Sequence, residues 1–371
     1  MPSAGVLLAT CAVGLALAAR TLPEFIGRRA TRAPRALGFA FAAGALAWGL
    51  GVADNAGIGL AVALGAFAYA HFAAPLASNG ALSDGLAARF PNGPLRAAFA
   101  LVFIAIGALT AAAGVRVAQL AAGEVFEVSN LSIDVALAAT LALSAAPGGA
   151  RASVWIDGLS GALVAAFTLG LAGVSLRSSP ASFGPLAADW AHALDANFVS
   201  PIAAIAMIAA LAGFAPLGFA LGGARSRGLM RESLVGPLIF VIGLAALSID
   251  RDVLAVASGG LAAIKDAFAL LAGLALARLG ILVAARAIGT SGSPNGAVNI
   301  ASLLLARLRL ATVALATLFV ALARHLAETS STMALAALAL SLALIVPAIA
   351  LSRLSKAGPL AAGMAFCVGE R

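Results

Sequence analysis

Arg278 is the first side chain here that has to be explained by chemistry. It stands inside an apolar stretch, Ala267 to Ala285, that holds no other charge. A charged group near the centre of a bilayer costs at least about 2.5–3.5 kcal/mol, so such a residue is rarely accidental. Its guanidinium either serves a function there, or is neutralised by a carboxylate on another helix, or extends its head to the membrane surface. Asp157 is a second such residue, expected just inside a helix start, where the helix dipole favours a carboxylate. Arg116 and Gln119 share one helix face, where they line a pathway or pair with Asp157. Lys265 and Asp266 are adjacent and read as a pair near a membrane surface.

The elements that must position these groups are membrane helices. The 371 residues are 62% hydrophobic and 10% charged, with a mean hydropathy of +1.06. A soluble domain is about 45–50% apolar and about 25% charged. Crossing the hydrocarbon takes roughly 20 apolar residues. Runs of that kind lie near 4–19, 34–53, 57–78, 96–122, 131–147, 152–176, 198–222, 232–249, 260–289, 302–324 and 331–352. A stub at 358–369 is too short to cross.

Basic residues gather in every second gap between these runs. Arg20, Arg28, Arg29, Arg32 and Arg35 fill the first, Arg89 and Arg96 the third, and Arg151 the fifth. Arg225, Arg227 and Arg231 fill the seventh, and Arg286, Arg307 and Arg309 flank the ninth. Arg353, Lys356 and Arg371 follow the last run. The even gaps are neutral or acidic, with Asp54, then Glu124 and Glu127, then Asp189 and Asp195 against Arg177, and later Glu328 against Arg324. Arg- and Lys-rich loops stay in the cytoplasm. The pattern predicts an all-α membrane protein of about eleven transmembrane helices, its N-terminus outside and its C-terminus cytoplasmic, in a bacterial inner membrane.

Several functions are excluded. The net charge of +8 lies in short loops and forms no basic stripe, so the lipid bilayer is the partner and nucleic acid is not. Cys11 and Cys367 sit at opposite ends of the chain, and His71, His192 and His325 are scattered, so no metal site or cofactor is expected. The chain has no phosphate-binding loop and no nucleophile–base pair, which argues against an enzyme. Met1 to Ala19 resembles a secretory signal but lacks its positive start, and reads as a retained first helix.

Two helices carry breaks. The second contains Gly44 and Trp48-Gly49-Leu50-Gly51, and the seventh contains Gly213-Phe214-Ala215-Pro216-Leu217-Gly218. With the first helix set aside, they open two successive sets of five. Matching interruptions in two halves mark the midplane site of an inverted-repeat transporter, although Gly and Pro are also common in ordinary membrane helices. Trp48, Gly49, Gly51, Gly213, Pro216 and Gly218, with Arg116 and Gln119, are the candidates for lining a solute pathway; core packing is the default for Trp48.

Ordered local motifs add a resemblance. Gly80-Ala81-Leu82-Ser83-Asp84-Gly85-Leu86-Ala87-Ala88-Arg89-Phe90, Arg116 through Gly123, and Gly148-Gly149-Ala150-Arg151-Ala152-Ser153-Val154-Trp155-Ile156-Asp157 resemble successive signatures of the sodium/solute symporter family. Gly213 to Arg231 is similar to the acetate-permease-like subgroup, and Arg307 through Pro347 with Ala357 to Met364 resembles the family's closing pattern. The resemblance implies the leucine-transporter-type five-plus-five inverted repeat preceded by one extra helix. One transmembrane domain, 1–371, would then hold the extra helix 4–19, repeats 34–176 and 198–352, and a cytoplasmic tail 353–371.

The departures are equally informative. The family binds sodium through a Ser-Thr pair on the eighth core helix, but Gly259 to Gly289 contains no Ser or Thr. Gly218 stands about where the subgroup has a polar His, and the chain ends before the family's later helices. In related folds a fixed cation can occupy the sodium position, which makes Arg278 and Asp157 the coupling-ion candidates; in the family, Asp157's position adjoins the cation route. The expectation is a short, degenerate member that carries a small organic solute, such as a short carboxylate, without the usual sodium site. The alternative is a transport-inactive relative that serves as a sensor or as an accessory subunit of a membrane complex.

Overall fold

The computed structural model describes residues 2–26, 86, 93–125, 130–178, 260–290 and 299–325, with isolated helical positions between 333 and 348. Both broken helices lie outside the described residues, and with them Trp48, Gly49, Gly51, Gly213, Pro216 and Gly218. Every described element is a helix: α1 (Pro2–Ala16), α2 (Leu22–Phe25), α3 (Gly93–Val125), α4 (Asn130–Ala145), α5 (Gly149–Ser178), α6 (Gly260–Thr290) and α7 (Asn299–His325). Among the described residues, three stretches are long and apolar enough to span a membrane, Pro94–Gly123, Asp266–Ile288 and Leu303–His325. Continuous helices suit that setting because each satisfies its own backbone groups where water is absent.

Among the described helices α6 is the most buried, with nearly every described side chain from Ala267 to Ala287 buried. Its main partner is α3, and a seam of small residues sets that contact. Gly107, Ala111, Gly114 and Ala118 on α3 repeat the spacing of Gly273, Ala277, Gly280 and Ala284 on α6. Gly107 faces Gly280 and Ala284, while Gly114 faces Gly273 and Ala277, so the two helices run antiparallel. A Cβ on Gly114 would stand 2.7 Å from the Gly273 carbonyl oxygen, and one on Gly273 would stand 2.7 Å from that of Gly114. Side chains this small let backbones meet directly, which holds helices together where lipid removes the hydrophobic drive.

α4 and α7 complete the packed layer. Val115, Leu137, Leu141, Leu270, Leu274 and Phe319 form one cluster across α3, α4, α6 and α7. α7 buries Leu305, Leu308, Thr312, Ala316, Phe319 and Ala323, a helical stripe, and exposes Leu303, Leu310, Leu318 and Leu322 on the other side. Apolar residues on both faces are what a lipid-facing helix requires. The buried hydroxyls of Thr110, Thr140 and Thr312 each donate to a carbonyl four residues back, so they are satisfied within their own helices.

The chain turns sharply between α4 and α5, through 111°. Pro147 has no N–H to continue a helix, and Gly149 adopts φ +56°, a left-handed conformation that suits glycine. The first residue of α5 is therefore Gly149, three residues before the sequence-predicted start at 152. This corrects one expectation. Asp157 is not in the first turn near the helix dipole but two turns inside.

Candidate functional site

Residues Gly149, Ser153 and Asp157 follow one another four apart, which puts them on one face of α5. Arg278 of α6 meets the far end of that stripe. Its Nη2 donates to Asp157 Oδ1 at 2.5 Å, and Ser153 Oγ donates to Asp157 Oδ2 at 2.9 Å. The Arg278 side chain is 0% exposed and that of Asp157 is 8% exposed. The surface-reaching alternative for Arg278 is thereby removed.

The cluster is neutral overall, one guanidinium against one carboxylate, yet the guanidinium is under-satisfied. Its Nε and Nη1 have no hydrogen-bond partner among the described residues. Its neighbours along α6, Leu274, Ala275, Leu279 and Leu282, are buried and apolar. An Arg carries five N–H donors in a rigid fork, and leaving such donors dry is costly. The arrangement places a permanent positive charge and a hydroxyl-supported carboxylate between two long helices.

Arg116 and Gln119 do not join this site. Gln119 is buried and its Nε2 donates to Asp134 Oδ1 at 2.8 Å and to the Val320 carbonyl at 3.3 Å. Arg324 closes on the same carboxylate, with Nη2 2.8 Å from Oδ1 and Nε 2.6 Å from Oδ2. Asp134 thus ties α3, α4 and α7 together near the ends of α3 and α7. Gln119 bonds a different acid, unnoticed in the sequence, in place of Asp157. A lone carboxylate in an apolar run, as at Asp134, is the signal that would have found it. Arg116 is half-buried one turn away.

A third set of contacts lies at the opposite end of the bundle. Arg309 donates to the carbonyls of Ala19 and Pro147, the latter at 3.2 Å, where α1 and the α4–α5 turn meet. Ala19 N–H also donates to Pro147 O at 3.0 Å. Arg286, 2% exposed, donates to the Ile26 carbonyl at 3.2 Å. Glu24 pairs with Arg151 at 3.4 Å and accepts the Arg20 backbone N–H at 2.9 Å. Arg286 and Arg309, expected at a loop from their spacing, are therefore anchors for the segment that follows α1.

The sequence matches no family model and no curated protein sequence. Its fold is similar to the solved structure of a Na+-coupled sialic acid symporter, in a substrate-bound, outward-open state reported with a novel Na+ site. That match has a TM-score of 0.65 and 15% identity over 98% of this chain and 95% of that one. Among the described residues the chain is all-helical, with several membrane-spanning stretches, and its fold is like that of this symporter.

Proposed function

We propose that the chain is a secondary-transporter-like protein for a small organic solute, with a short carboxylate as the first candidate, working without the usual sodium site. The observation that carries this reading is the buried Asp157–Arg278 pair between α5 and α6, set in a fold like that of a Na+-coupled symporter. In this reading the tethered guanidinium takes the place and the charge of a coupling cation. Asp157 neutralises it, and Ser153 fixes the carboxylate's other oxygen. α6 supplies no hydroxyl between Gly260 and Gly289 with which to ligate sodium instead.

The same reading includes eleven helices in a five-plus-five inverted repeat, with the acetate-permease-like subgroup as nearest kin. Its support is the matched small-residue seam, since α3 and α6 would each be third in their set of five. The solute pathway would run between the broken helices, past Trp48, Gly49, Gly51, Gly213, Pro216 and Gly218. The N-terminus would be outside and the basic loops cytoplasmic.

Counterflow in vesicles tests it. Purified protein is reconstituted into vesicles loaded with acetate, and uptake of labelled acetate or propionate is followed in sodium and in choline buffer. Saturable exchange, equal in the two buffers and lost in Arg278→Ala, is the expected result. Exchange that requires sodium would overturn the tethered-cation reading. No exchange of any short carboxylate, with a second chain copurifying in fixed ratio, would favour the accessory-subunit alternative.

A further inference from the structure

The segment Arg20–Ile26 crosses the bundle where α5 begins. Three contacts hold it, and a fourth holds Ala19 just before it. Arg309 grips Ala19 O and Pro147 O on one side, and Arg286, itself buried, holds Ile26 O on the other. Between them, Glu24 meets Arg151. Phe25, 2% exposed, sits directly on Gly149. A Cβ on Gly149 would lie 2.6 Å from the Phe25 carbonyl oxygen and 2.7 Å from ring atoms Cγ and Cδ2. The missing side chain and the left-handed φ at Gly149 together form the seat for this ring.

What lies beyond that seat gives the contact its meaning. Gly149 is the first residue of the α5 stripe that continues through Ser153 to Asp157, eight residues and about 12 Å further along the helix. Phe25 therefore sits over the first residue of the α5 face that carries Ser153 and Asp157, the partners of Arg278.

We propose that Arg20–Ile26 is a strap whose Phe25 is the closed gate on the Gly149–Ser153–Asp157 stripe. In a protein that exposes its central site alternately to either side, this face opens when Phe25 leaves Gly149, and the anchors at Arg286 and Arg309 set how readily that happens. The gate rests on the transporter reading for its purpose, though its existence can be tested without any solute.

Thiol accessibility of the full-length protein in lipid nanodiscs, where both faces meet solvent, provides the test. Ser153→Cys is made in a background with Cys11→Ser and Cys367→Ser, and labelling by a small charged thiosulfonate is timed. Leu141→Cys, in the packed layer, is the control for general loosening. With Phe25 in place, Ser153→Cys should be protected. Phe25→Ala, and separately Gly149→Ala, should speed its labelling about tenfold or more through local opening, while Leu141→Cys stays protected. Phe25→Leu should fall between. The gate is overturned if Ser153→Cys labels rapidly in the parent, if it stays protected in both seat variants, or if Leu141→Cys accelerates in step. Failure of the transporter reading shows elsewhere, as an absence of carboxylate counterflow with the gate labelling intact.

Discussion

Removing the Arg278 guanidinium leaves Asp157 buried with Ser153 as its remaining described partner. Breaking one side of a buried ion pair typically costs about 3–5 kcal/mol, because the surviving charge has lost its compensation. Arg278→Ala should therefore lower the thermal midpoint of the purified protein markedly. Arg278→Lys should restore part of the loss, since charge survives while the planar fork does not. Replacing both members, Arg278→Met with Asp157→Leu, should melt close to the parent, because well-packed apolar residues of similar volume often substitute for a buried pair at no loss. That double variant separates stability from function: it should be stable and yet inactive in counterflow. A parent-like melt for Arg278→Ala would mean that the pair does not form.

Between elements, the antiparallel contact of α3 with α6 depends on the absence of side chains. Gly114 and Gly273 each have a backbone carbonyl of the other helix where a Cβ would go. Gly114→Ala should force the helices apart and cost about 1–3 kcal/mol, as overpacking does. Gly123, on the same helix, has open space around it. Gly123→Ala should stabilise by up to about 1 kcal/mol, since alanine is the better helix former. Chemical denaturation in detergent compares the two, and an equal response would place the α3–α6 contact elsewhere. The Asp134 brace acts at the same scale. Asp134→Leu should remove the carboxylate that Gln119 and Arg324 share and loosen α4 from α7, read as faster amide exchange along α4.

For the whole molecule, the alternating charge pattern makes a prediction about sidedness. Gly80 and Gly228 lie in the third and seventh gaps, both basic. Cysteines placed there in a cysteine-free background should label from the same face, and from the cytoplasmic one. Labelling of one but not the other in intact cells would break the eleven-helix count between them. The described elements already respect part of the pattern: Arg20, Arg151, Arg286 and Arg309 meet at one end of the bundle, and Asp134 and Arg324 at the other.

The described helices were legible in the sequence because in a bilayer length and apolarity nearly suffice. The runs near 96–122, 131–147, 260–289 and 302–324 differ from α3, α4, α6 and α7 by only a few residues. That Arg278 needs either a partner or a route to the membrane surface was legible for the same reason, since an isolated charge in hydrocarbon is costly. Its partner was not. Asp157 and Arg278 are 121 residues apart, and nothing local distinguishes that pairing from Asp157 with Gln119. Hydrogen-bond reach is about 3 Å, so the choice among buried acids was made by the close approach of α5 to α6 and of α3 to α4 and α7. The seat of Phe25 on Gly149 was equally out of reach. A Gly-Gly turn announces conformational freedom, but which ring fills the space left by a missing Cβ depends on a segment more than a hundred residues upstream, and only packing brings the two together.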